Sequence, residues 1–468
     1  MTPDHGMNHS TQPAGLRYEV ARTLQLAAPV MIGLFAGFAM NFIDTVMAGR
    51  LPEREVAMAA LATGGALWSA MLMIVLGLLM AVQPAVAQLD GAGRRGEAGA
   101  VTRQGFWIAL VISIPFFAVI FFGGRLLSLF RVDASIIPVA IDYLRALAWG
   151  APMITMMLLL RFYSEGSGHT RPTMYIGLLG ALLNIPANWM LMFGHLGFPA
   201  MGARGTGFAT SSVLTLQAVA MFIYVYRHSH YRPFALFERW DWPDLAEIRR
   251  LLVVGWPIAG TLFVEGSLFI AASLIIGQLG PVQTASHLVA INFSALLFMI
   301  PLGLGSAVTT RVGNALGRGE PDAARHAGMV GLGIVLCTQA ISATLMIVFP
   351  GAIAAIYTGD AAIAATAAGL LFYAAVFQFP DGIQVVSAGI LRGYKDTMVP
   401  MIINVIAYWV IGLSLGYWLT FGGGMGPAGM WVGMIAGLST GAVLLSLRFM
   451  RVSSRHRRPP PVTPAPAP

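Results

Sequence analysis

Charge is scarce in this chain. Only 10% of its 468 residues are Asp, Glu, Lys or Arg, against about 25% in soluble domains. With 57% hydrophobic residues and a mean hydropathy of +0.74, that shortage excludes a large soluble fold and points to a polytopic membrane protein. Cysteine is nearly absent: Cys337 stands alone inside an apolar run. No disulfide framework can form within one chain, and Cys337 reads as a small core residue. Lysine is as rare. Every basic residue except Lys395 is arginine, and Lys395 is followed by Asp396. No GxxxxGK[ST] phosphate loop is therefore possible, which excludes a P-loop ATPase site in this chain. HExxH and CxxC are missing as well, so no catalytic constellation and no cofactor is expected. The first 16 residues lack the charged-then-apolar layout of a cleaved signal. The first apolar stretch is expected to stay as an anchor.

A net charge of +8 would suit nucleic acid, but the arginines lie in short loops and tails, and no nucleic-acid partner is expected. Of two glycosylation patterns, Asn8-His9-Ser10 and Asn292-Phe293-Ser294, the second falls in a predicted helix and reads as chance.

What is present is apolar sequence in lengths that span a bilayer, about 20 residues each. Twelve candidates read along the chain at roughly 22–48, 57–88, 101–123, 134–160, 170–194, 205–226, 248–277, 286–312, 326–350, 361–389, 398–421 and 427–449. The fold class is all-α integral membrane. The loops after even-numbered helices, with the two tails, hold 22 of the 28 basic residues, which places both termini in the cytoplasm. Lys395 belongs to this set; Arg50, Arg125 and Arg131 lie on the other side. The two halves repeat at an offset of 223–228 residues. Pro29 matches Pro257, Gly49 matches Gly277, and Arg95-Gly96-Glu97 matches Arg318-Gly319-Glu320. Gly166 and Thr170 match Gly393 and Thr397, and Gly202-x-x-Gly205 matches Gly426-x-x-Gly429. Six helices followed by six alike predict two pseudo-symmetric lobes that rock for alternating access. The expected organisation is a cytoplasmic N-terminal segment 1–21, an N-lobe 22–227, a cytoplasmic linker 228–247 carrying Pro233 and Pro243, a C-lobe 248–450, and a disordered cytoplasmic tail 451–468.

Three carboxylates interrupt these spans: Asp44, Glu265 and Asp381. Each costs roughly 2.5–3.5 kcal/mol near the bilayer centre, and intramembrane acids bind cations, relay protons or hold a positive substrate. Gly33, Gly37, Asn41, Asp44 and Ala48 are spaced to share one face of helix 1, which aims Asn41 and Asp44 into the lobe. Asn184 and Asn188 in helix 5, with Thr210 in helix 6, could complete an oxygen-rich pocket for a cation or proton. The alternative is a polar packing knot with Asp44 protonated. Thr261 and Glu265 share a face of helix 7. Helix 10 carries Gln378, Asp381 and Gln384. If helices 7 and 10 face each other, their acids share a cavity and hold one proton or one cation between them; the alternative is two unrelated buried acids. The 26 methionines read as membrane core, and His287 reads as a helix-start or packing residue.

Residues 285–305 (ASHLVAINFSALLFMIPLGLG), running on through 311–320 (RVGNALGRGE), resemble the signature of the MATE family of multidrug and toxic compound extruders, in its NorM-type branch. Residues 391–397 (LRGYKDT), 41–49 (NFIDTVMAG) and Gly426-x-x-Gly429-x-Trp431 resemble it too, over about 20–450. The resemblance implies a twelve-helix, two-lobed antiporter that exports cationic amphipathic compounds using inward H+ or Na+ flow. The family's helix 1 Asp, helix 7 Glu and helix 10 Asp fall on Asp44, Glu265 and Asp381, which become the candidate H+ or Na+ sites. Asn41, Thr261, Phe377, Gln378, Gln384 and His287 are candidates to line the substrate cavity. Two positions depart from the family: Leu288 replaces a usual Gln, and Phe377 has no hydroxyl for a Na+ shell where a polar residue or Tyr is expected. On this reading the chain is a monomer of the bacterial inner membrane. The nearest rival is a lipid-linked precursor flippase of the related superfamily, which would be expected to carry cavity arginines.

Overall fold

The computed structural model describes residues 15–127 and 133–457. Asn8, Arg131, Arg458 and the Pro/Ala-rich segment from Pro459 lie outside them. Among the described residues every regular element is helical. Eleven helices are long and apolar enough to cross a bilayer, and one bent pair makes a twelfth. In chain order these are α1 (Leu16–Ala48), α2 (Arg54–Gly91), α3 (Arg95–Phe122), α4 (Ile137–Ala148 with Gly150–Gly166), α5 (Arg171–Leu191) and α6 (Ala203–Arg227). The second six are α7 (Leu245–Gly277), α8 (Pro281–Gly317), α9 (Pro321–Val348), α10 (Ala361–Gly393), α11 (Met398–Phe421) and α12 (Pro427–His456).

The departures from the expected spans have local causes. The two pieces of α4 meet at 46°, because Pro152 has no N–H to offer the carbonyl of Ala148. In α11, residues Ile406–Leu413 form a π-helix, which no apolar pattern announces. The segment expected to be disordered from Arg451 is instead helical to His456. Asp244 and Asp360 cap α7 and α10, each carboxylate accepting from two backbone N–H groups. The matched Gly202 and Gly426 both take φ near +60°, at 56° and 59°, where α6 and α12 begin. Only glycine adopts that backbone without strain.

Helices α1–α6 pack as one lobe and α7–α12 as the other. The lobes meet through α1 on α8, α2 on α7, and the end of α2 on α8. Every inter-lobe hydrogen bond among the described residues lies at the end of the molecule that carries the linker, here called the linker side. Gln83 donates to Ser306 and Thr310, Gln88 to the Gly393 carbonyl, and Asn314 to the Ala87 carbonyl. Arg311 pairs with Glu19. Gln83 with Thr310, and Ala87 with Asn314, are both separated by 227 residues, within the range of the internal repeat. Repeat-related positions therefore touch each other across a two-fold axis between the lobes.

The linker is strapped to α3. Arg103, 5% exposed, donates to Asp241 at 2.6 Å and to the Ala235 carbonyl at 2.7 Å. Gln104 and Trp107 hold the backbone of Trp242 and Asp241. A Cβ at Gly99 would collide with the Phe234 carbonyl, so glycine is what lets the strap lie flat. Three histidines pack beside it. His169 stacks on His230, packs tilted against His228 and bonds Tyr224 at 3.0 Å. Burial, then the fields of His230, His228 and Arg171, push His169 down to about 4 from its ordinary 6.5. The folded protein thus prefers neutral His169, while the unfolded chain protonates it below about 6.5. The stabilisation is complete above pH 6.5 and is lost as pH falls towards 4. Proteolytic cleavage of the linker should accelerate between pH 6.5 and 4.5, and His169→Gln should flatten that dependence. A pH-independent cleavage rate in the unsubstituted protein would contradict it.

Candidate functional site

The N-lobe site is built where α1 crosses α5. Gly33 and Gly177 touch there, and a Cβ on Gly33 would sit 2.6 Å from the Thr173 carbonyl oxygen. That close approach brings Asp44 against α5 and α6. Asp44, 8% exposed, accepts from Asn188 Nδ2 at 2.7 Å and from the Thr210 hydroxyl at 3.1 Å. Asn188 Nδ2 also reaches Asn184 Oδ1 at 3.1 Å. Both asparagines are fully buried, and Asn184 Nδ2 and Asn188 Oδ1 have no protein partner. The four residues expected together are together.

Asn41 is not with them. It is exposed and reaches only the Gly37 carbonyl, at 3.5 Å. The buried stripe of α1 runs Ala36, Met40, Asp44, Ala48, and Asn41 stands one residue, about 100°, round from Met40. The expectation that Asn41 points into the lobe is corrected.

In the C-lobe, Glu265 and Thr261 share a face of α7 as expected and line a narrow cavity with Gln384, Arg392, Asp396 and Thr397. Glu265 Oε1 and Gln384 Oε1 have no protein partner. Asp381, 2% exposed, is buried with its Oδ1 unpartnered among the described residues, but it is not part of that cavity's lining: the expected shared cavity is not formed, and Glu265 acts on Asp381 only through its charge. Tyr408 joins this pair. It is fully buried on the π segment of α11, its hydroxyl has no protein partner, and both acids act on it. A π turn re-aims side chains and is frequent at functional sites.

The other cavity candidates lie elsewhere. Gln378 accepts from Gln339 of α9 at 3.0 Å. Phe377 packs on Phe269 and Trp431. His287 is fully buried, bonds Ser273 at 3.1 Å and packs on Trp431. None of these three lines the cavity beside Glu265.

A third polar centre was not foreseen. Glu165, fully buried at the linker-side end of α4, accepts from Arg161 at 2.7 Å, Thr173 at 3.1 Å and, across the seam, Ser306 at 2.6 Å. Thr310 donates to its backbone carbonyl at 2.9 Å. Its counterpart in the repeat is Arg392. The clue was in the sequence: the matched Gly166 and Gly393 are preceded by opposite charges.

Two lobes with one buried acid site each, sealed at one end by a repeat-symmetric seam, are a transporter architecture. A family model described as MatE matches the chain twice, over residues 29–190 and 257–418, once in each lobe. This chain belongs to the MATE family. It is 43% identical over 448 residues to the multidrug resistance protein PmpM of Pseudomonas aeruginosa, covering 95% of this chain and 94% of that protein. It is 42% identical over 449 residues to a probable multidrug resistance protein NorM of Xanthomonas campestris, covering 96% and 98%. Its fold matches the eukaryotic MATE transporter AtDTX14 at a TM-score of 0.85, with 20% identity and coverage of 95% and 99%. It also matches an outward-facing multidrug resistance MATE transporter at 0.86, with 18% identity and coverage of 95% and 97%. This MATE-family chain is a multi-pass membrane transporter rather than an enzyme.

Proposed function

We propose that this protein is an H+-coupled antiporter of the bacterial inner membrane that exports small cationic amphipathic compounds. The observation that carries the reading is the pair of buried acid sites, Asp44 in one lobe and Glu265 with Asp381 in the other. The seam closes the arginine-rich side, which the charge bias assigns to the cytoplasm, so the cleft faces outwards. Asp44, Glu265 and Asp381 exchange protons there and attract a positive drug when ionised. A bound proton moves the equilibrium between inward- and outward-open states only by binding one of them better.

H+ is preferred to Na+ because Asn188 Nδ2 and the Thr210 hydroxyl meet Asp44 as donors, whereas Na+, like other hard cations, would need the oxygens of these side chains turned towards it. Phe377 adds no oxygen in the C-lobe. Ethidium export from vesicles with pH and Na+ gradients imposed separately tests this: the pH gradient alone should drive it. Export driven by Na+ alone would make Tyr408 the oxygen that replaces the missing hydroxyl. Failure of both gradients with several cationic dyes would favour a lipid-linked precursor flippase, for which Arg392 is a cavity arginine.

A further inference from the structure

Arg392 has no role in the scheme above, yet it is placed as few buried cations are. It ends α10, is 9% exposed, and forms no ion pair within 4.0 Å among the described residues. A guanidinium carries five N–H donors. Its one hydrogen bond among the described residues runs from Nη1 to the thioether sulfur of Met80, in the other lobe, at 3.5 Å, and Nε has no protein partner among them. The charges acting on it are Glu165 and Glu265. Its repeat-mate Glu165 is, by contrast, saturated by Arg161, Thr173 and Ser306. A buried cation left short of acceptors is costly. A structural role would have been served by the saturated arrangement that the N-lobe uses.

Its surroundings give the cost a purpose. The cavity beside Glu265 holds about 40 Å³. That is room for roughly three waters. The cavity lining includes Glu265, well inside α7, and Asp396 and Thr397 in the loop after α10, on the linker side. Asp396 is 16% exposed and bound to Arg448. Arg392 lines the cavity with them. A water-sized passage therefore leads from the C-lobe acid towards the linker side, inside one lobe, while the seam between the lobes is shut.

We propose that Arg392 is an electrostatic barrier on this passage: its fixed positive charge keeps protons and cations from reaching Glu265 from the linker side, so that Glu265 exchanges only through the central cleft. A positive side chain in a narrow pore excludes cations in this way. The proposal rests on the reading of Glu265 as the C-lobe cation site.

The test is proton entry into proteoliposomes loaded with a pH-sensitive dye, under a pH gradient and without drug. Arg392→Gln keeps length and polarity but removes the charge. It should raise drug-independent proton flux at least roughly tenfold, the scale of one unit charge about 12 Å away at an effective dielectric of about 20. Arg392→Lys should stay near the wild-type flux, and Arg392→Gln combined with Glu265→Gln should return to it. A tight Arg392→Gln protein, a Lys variant as leaky as Gln, or a leak that survives loss of Glu265 would each overturn the proposal. If Arg392→Gln fails to insert, Arg392→Met, which also removes the charge, serves instead: it should leak protons as Arg392→Gln is expected to, and a tight Arg392→Met protein would overturn the barrier. Wild-type drug export by Glu265→Gln alone would instead refute the underlying reading of Glu265.

Discussion

Glu265→Gln is expected to reduce drug export to the rate of protein-free vesicles while the protein still inserts and purifies. Glutamine matches the size of the side chain but cannot gain or lose a proton, so the coupling ion no longer distinguishes the two states and drives nothing. The fold should tolerate the change. Glu265 is buried with one carboxylate oxygen unpartnered, and taking a charge out of a span removes an insertion cost of roughly 2.5–3.5 kcal/mol. Asp381→Asn should behave alike. Asp44→Asn differs in one respect. Its two oxygens accept from Asn188 and Thr210, and an amide has only one oxygen to offer. One donor is then left over, at about 1–3 kcal/mol, so that variant should lose some thermal stability as well as coupling. Ethidium export at matched protein levels, alongside melting temperature, separates the two effects. Export by Glu265→Gln at the wild-type rate would remove the C-lobe acid from the mechanism.

The residues that could be placed from sequence were those whose geometry is set within one helix or by a small-residue crossing. Asn184 and Asn188 sit four apart, and Gly33 lets α1 approach α5 closely enough for Asp44 to meet them. Asn41 failed because a stripe four residues wide in step drifts round the helix, and a residue on its flank faces outwards. Tyr408 was hidden because a π turn adds a residue to one turn, which the apolar run of α11 does not mark. Glu165 and Arg392 were hidden for a different reason. They sit at helix ends rather than within apolar runs, and their meaning comes from partners across the seam or at the end of a passage. The repeat held the information, in the two charges that precede Gly166 and Gly393.

Gly91→Val should trap the protein with its linker side open. A Cβ on Gly91 would collide with the backbone of Asn314, and one on Gly317 with that of Gln88. Both collisions cross the seam between the lobes. Backbone cannot swing aside as a side chain does, so closure is opposed and the open state, where the seam is parted, is not. Overpacking a tight contact costs about 1–3 kcal/mol, and about 1.4 kcal/mol is tenfold in an equilibrium. Spin labels on cysteines replacing the exposed Arg94 and Arg318, in a Cys337→Ser background, should report longer separations than in the unsubstituted protein. Drug export should fall at least about tenfold on the same reckoning. Gly96→Val is the control, because a Cβ there meets nothing; it should change neither quantity. If Gly91→Val left the separations and the export as they were, the seam would be a fixed contact rather than a gate. Alternating access would then have to run through some motion other than parting the repeat-related ends of α2 and α8.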